Sequence, residues 1–188
     1  INANANGAGP DTINFNVGGG NFQSITMSAT TLPAIQTSLL IDGTTQPLWG
    51  GPPLIEINGA ASPSYGFRVT APAVNTPITV TFKSLIINRF GTNGIHFSAE
   101  NLTATVTGCY IGTDPGGSLD RGNGADGIRI DALPDSIFTI GGNGTSDRNV
   151  ISGNSGDGVS VSTALGLQNS DTNILFLNNF IGTSSGGN

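Results

Sequence analysis

Arg68, His96 and Arg129 occupy the same place in three copies of one short phrase, GFRVTA (66–71), GIHFSA (94–99) and GIRIDA (127–132). Guanidinium groups hold carboxylates and phosphates through paired N–H donors, and an imidazole among them adds a further cationic or hydrogen-bonding group. If the copies stack, these side chains form a basic stripe suited to an acidic sugar or another anionic polymer. Thr70, Ser98 and Asp131 would line it. The competing reading is a row of solvated outer positions with Arg129 paired to a nearby Asp.

Other chemistry is poorly supported. Cys109 is the one cysteine, so no internal disulfide forms, and its neighbours Gly108 and Tyr110 supply no base; a buried, inert thiol is expected. The phrase GNGADGI (122–128) partly matches a calcium nonapeptide, but such sites form between tandem copies and here there is one. A structural calcium is therefore the only cofactor considered, and no metal ligand is assigned. His96 has no partner His or Cys at zinc-ligand spacing.

The elements that must position the stripe come from a repeat. With GVSVST (158–163), the phrase recurs at intervals of 28, 33 and 31 residues, and each copy reads Gly, apolar, polar, apolar, polar, small. This is a period-two strand entered through a corner glycine. Two further columns precede it. LIEING, LIINRF, CYIGTD, NVISGN and NFIGTS form one, and LLIDG, TVTF, TATV, FTIGG and NILFL form the other. Three same-sense strands recurring in fixed order predict an all-β solenoid, a right-handed parallel β-helix of about five to six coils. Its inward ladders would be Phe67/Ile95/Ile128/Val159, Val69/Phe97/Ile130/Val161 and Ile87/Ile111/Ile151/Ile181. The reading is one domain over 1–188, with 1–37 an irregular cap or first coil and 38–188 the repeated coils. The stretches 114–124 and 141–148 should project outward as polar turns.

Composition excludes several classes. The net charge of −6 disfavours nucleic acid, whose phosphates need a basic surface. No apolar run approaches the length of a transmembrane helix. With only two Glu and one Lys among 188 residues, helix is not favoured. A single Lys among abundant Thr, Asn and Gly suits an extracellular bacterial protein.

The phrases ANANGAGPDTINFN (3–16), IDGTTQP (41–47), LIINRFGTNGI (85–95), CYIGTDPGG (109–117) and RNVISGNSGDGV (148–159) resemble those of bacterial surface-associated proteins with right-handed β-helix repeats, which often carry a leader domain. The resemblance spans nearly the whole chain. It implies the fold and a cell-surface or secreted setting, with no catalytic residues to carry over. The expected role is a non-enzymatic structural or adhesive piece, and a carbohydrate-active enzyme or acidic-glycan-binding module is the alternative. Polysaccharide lyases and glycoside hydrolases use this fold too, but the paired Asp-Asp and Gly-His-Gly phrases of pectin hydrolases are absent, and most Asp residues fall in turns. The sequence stops in mid-coil after outward Leu175 and Leu177. Further coils of a parent chain, or copies of the chain stacked into a filament, are the expected partners there, beside a surface polysaccharide.

Overall fold

The computed structural model describes residues 10–27, 31–60, 64–70, 76–132, 134–163 and 171–187. Residues 3–9 of the leader-like phrase, Ala71 of the first third-column copy and the terminal Asn188 lie outside them. The described residues wind through six coils. The first holds β1 (Asp11–Asn14) and β2 (Gln23–Thr26), and the second β3 (Leu39–Asp42), β4 (Ile55–Asn58) and β5 (Phe67–Thr70). The third holds β6 (Ile78–Lys83), β7 (Leu85–Asn88) and β8 (Ile95–Ser98); the fourth β9 (Leu102–Thr107), β10 (Tyr110–Ile111) and β11 (Ile128–Ala132). β12 (Ile137–Gly141), β13 (Val150–Ile151) and β14 (Val159–Thr163) make the fifth, and β15 (Asn173–Leu177) with β16 (Phe180–Ile181) the sixth. Equivalent strands stack in coil order into three parallel sheets of six, six and four strands, the architecture of a right-handed parallel β-helix.

The stretch before residue 38 is more regular than its sequence suggests. β1 pairs in parallel with β3 and β2 with β4, and Ile35 bridges Val69 on the third sheet. Asp11 and Gln23 stand in register with Leu39 and Ile55, so polar residues occupy positions that are apolar in the next coil and hide the period.

Inward positions follow the strand alternation. Phe67, Val69, Ile95, Phe97, Ile128 and Ile130 are buried, as are Ile87, Ile111 and Ile151. Val159 is half-buried, and Val161 and Ile181 are exposed on the last coils, where the same columns have no described neighbour above them. Aromatic rings zigzag between the first and third sheets: Phe67–Phe82, Phe82–Phe97 and Phe97–Phe138 have centroids 5.0, 6.1 and 5.5 Å apart. Phe97 and Phe138 belong to the third and fifth coils. They meet because the inward residue between Val80 and Phe138 in the first sheet is Ala104, whose small side chain leaves room.

Corners between the first and second sheets need a left-handed residue. Ser84 (φ 54°), Gly108 (φ 63°) and Asn178 (φ 54°) serve the third, fourth and sixth coils. Beside these corners two asparagine ladders tie coil to coil. Asn149 Oδ1 accepts from the Cys109 N–H at 2.8 Å, while its Nδ2 donates to Val106 O at 2.8 Å and Asn179 Oδ1 at 2.9 Å. At the far end of the second sheet, Asn123 Oδ1 accepts from the Phe90 N–H at 3.1 Å and Asn123 Nδ2 donates to Asn154 Oδ1 at 2.8 Å. These bonds satisfy corner backbone groups that the strand ladders leave over.

Cys109 lies wholly inside, and burial pushes its thiol from the ordinary 9.0 up to about 12. At pH 8 the folded protein should therefore resist a disulfide reagent that modifies the denatured chain stoichiometrically; fast native labelling would contradict the burial. Because the folded pKa is raised, the unfolded chain loses this proton first. Stability contributed by the neutral thiol is present below pH 9 and declines as pH rises from 9 toward 12.

Candidate functional site

The third sheet sets Arg68, His96, Arg129 and Ser160 in one register row across β5, β8, β11 and β14. The row exists as the repeat predicts, but it is not a solvated basic stripe. His96 is only 7% exposed. Tyr65, from the corner before β5, lies on its imidazole with centroids 5.1 Å apart and planes at 30°. Tyr65 precedes the corner glycine and so falls outside the alternating pattern, which is why the repeat did not single it out.

Asp131, two residues beyond Arg129 on the same face, contacts both the His96 imidazole and the Arg129 guanidinium. Its Oδ2 is 2.8 Å from His96 Nε2, and its Oδ1 accepts from Arg129 Nε at 3.2 Å. Arg129 Nη1 also lies 3.8 Å from Asp126 Oδ2. Arg129 is thus neutralised from two sides, and these part-exposed links contribute on the order of 1 kcal/mol or less each. Arg68 differs. It is exposed, its guanidinium carbon sits 5.6 Å from the Tyr65 ring centroid, and no carboxylate approaches within 4.0 Å among the described residues. A cleft of about 220 Å³ opens beside it, lined by Leu32, Ser64, Tyr65 and Arg68. The four-residue site read from sequence therefore divides: His96, Arg129 and Asp131 form a closed network, and Arg68 with Tyr65 forms the open part.

The His96–Asp131 pair resembles the base and orienting acid of a nucleophilic triad. Here the imidazole is roofed by Tyr65, and among the described residues its buried Nδ1 has no hydrogen-bond partner, so none of their hydroxyls or thiols is placed for deprotonation by it. Both oxygens of Asp131 are engaged. Asp126 is engaged likewise, through Arg129 and through the Asp157 N–H at 2.9 Å. Neither carboxylate lines either of the two clefts found among the described residues, as glycoside hydrolysis would require. Asp126 is the acid of the calcium-like phrase, and among the described residues no group of three or more His, Cys, Asp or Glu gathers to hold a metal ion.

Leu175 stands outward on β15 in register with Thr139, 51% exposed, and Leu177 is half-buried. The turn 114–124 is mostly exposed and is organised by its own bonds: Thr113 bridges Asp120, and Asp114 Oδ1 accepts from the Ser118 and Leu119 N–H groups, both at 2.9 Å. No helix among the described residues is long and apolar enough to cross a membrane. No protein family, curated protein or solved structure compared with the chain matches it.

Proposed function

We propose that this chain is a non-enzymatic structural or adhesive rod of a bacterial cell-surface or secreted protein, and that it holds acidic glycans through Arg68. The observation that carries this is the division of the third-sheet row. Its histidine and aspartate are closed into a structural network, while Arg68 lies over an aromatic ring beside an open cleft. Arginine over tyrosine offers paired donors to a uronate carboxylate and an apolar surface to the sugar ring. Continuous ladders on three sides make the rod stiff enough to present such a face without paying to order it. The same reading has Leu175 and Leu177 meeting a further coil or a second copy.

Binding to immobilised polygalacturonate is the test. Wild type should be retained, Arg68→Ala should lose roughly ten-fold in affinity, and Arg129→Ala should change retention little because its charge is already spent. Retention unaltered by Arg68→Ala would defeat the glycan role. Appearance of unsaturated or reducing ends in the polymer would defeat the non-enzymatic one.

A further inference from the structure

A second cleft, of about 310 Å³, lies on the outer face of the second sheet, and nothing in the sequence pointed to it. Its lining includes Gly50, Pro52, Gly108, Tyr110, Ser146 and Arg148. The volume is at the small end for ligand sites and fits one or two sugar-sized rings. Tyr110 stands in register between Ile86 and Val150. Both are buried although they point away from the core, so this face is covered by the chain's own loops around Tyr110.

Both walls are held in place before any ligand arrives. The Gly43–Pro53 stretch is tied to the rod at two points. Gln46 accepts from the Val17 N–H at 3.0 Å and donates to Val17 O at 2.7 Å, and Trp49 Nε1 donates to Ser84 Oγ at 2.7 Å. The opposite wall is the turn Thr145–Asp147. Asp147 Oδ2 accepts from the Gly144 N–H at 3.0 Å, and Asp147 O accepts from the Gly108 N–H at 3.0 Å.

Arg148 is aimed rather than mobile. Its Nε donates to Asn178 Oδ1 at 3.1 Å and its Nη2 to the same oxygen at 2.7 Å, and its guanidinium carbon lies 4.2 Å from the Phe180 ring centroid. Among the described residues, Nη1 has no hydrogen-bond partner and no carboxylate lies within 4.0 Å of the group. A cation oriented by neutral partners keeps its charge for something else. The Tyr110 hydroxyl likewise has no partner among the described residues, and burial, with the Asp114 charge second, raises its pKa, so it remains a donor at neutral pH.

We propose that this cleft is a carbohydrate subsite for a uronic-acid residue, with Arg148 holding the carboxylate, Tyr110 supporting the ring, and the Ser146 hydroxyl and the Gly50–Pro53 backbone meeting the ring hydroxyls. It is on a different sheet from Arg68, so either site can fail without the other.

Titration calorimetry with tetragalacturonate, and with its methyl-esterified neutral counterpart, tests this. Wild type should bind the acid at least ten-fold more tightly than the ester. With the other face removed by Arg68→Gln, Arg148→Gln should weaken the acid roughly ten-fold or more and erase that preference. Gly50→Phe adds bulk to the cleft wall, where a Cβ meets only Leu48 O, at 4.0 Å. It should weaken both ligands, and it decides the matter if Arg148→Gln also lowers the melting temperature. In a background carrying Arg68→Gln, which removes the other face, the cleft's binding should persist. Absence of any binding in that background, or binding there unchanged by Gly50→Phe, would overturn the assignment.

Discussion

Phe97→Ala should be among the most destabilising single substitutions in this protein, lowering stability by about 3–5 kcal/mol. Phe97 is wholly buried and is the ring through which the aromatic zigzag passes from Phe82 to Phe138. Its loss removes the transfer free energy of a benzyl group and leaves a void that neighbours cannot readily fill, because Ile95 and Ile130 are fixed by their own strand ladders. For a domain of this size the melting temperature should fall by roughly 6–20 °C. In a solenoid each coil contacts mainly its neighbours, so amide protection should be lost first in β8 and the strands flanking it, with the first and sixth coils (β1, β2, β15 and β16) changed least. Protection lost uniformly along the stack would contradict that picture. The void also faces Ala104, so Ala104→Val in the same background should restore part of the loss, whereas alone it should overpack the site.

The second large effect belongs to Asn149. Replacement by Ala strands the Cys109 N–H and the Val106 carbonyl inside the rod and removes the donor to Asn179. Each orphaned buried group costs about 1–3 kcal/mol, so a loss of about 3 kcal/mol is expected. Asn149→Asp should be worse. It keeps the acceptor for Cys109 but points a carboxylate oxygen at Val106 O and at Asn179 Oδ1, two acceptors with no proton to share. Asn179→Ala should cost less than either, because Asn179 is only half-buried and principally serves Ile140 O, at 2.7 Å. Urea denaturation of the three variants should give the order Asn149→Asp, Asn149→Ala, Asn179→Ala from most to least destabilised. Asn149→Asp as stable as wild type at pH 7 would mean that the ladder is not holding the corner.

The asparagine ladders could have been read in advance. NVISGN and NFIGTS carry Asn in the same first position, two residues before the Ile column that marks the phrase as a strand. Aligned apolar residues announce burial at once. A buried Asn looks like any turn residue until it is seen which backbone groups it satisfies. The first coil was obscured for the opposite reason, since Asp11 and Gln23 break the apolar alternation in strands that nevertheless pair.

The candidate sites divide along the same line. Register is a property of the repeat, and it puts Arg68, His96 and Arg129 in one row. Whether a side chain in that row meets water depends on residues outside the period. Tyr65 covers His96 from a corner, and Asp126 reaches Arg129 from a turn. The Tyr110–Arg148 cleft lies further still from the pattern. Its walls come from residues 43–53 and 144–147, about a hundred positions apart, brought together because each leaves the rod at the same edge of the second sheet.

By itself, then, the sequence determined the parallel coil, its three columns and its inward ladders, because strand alternation and stacking are local and periodic and every coil repeats the same physical demand. The tertiary structure alone decided which outward groups are spent on one another and which remain available. Burial and pairing at the surface depend on loops of irregular length, and where a loop comes to rest is set by the coils beneath it.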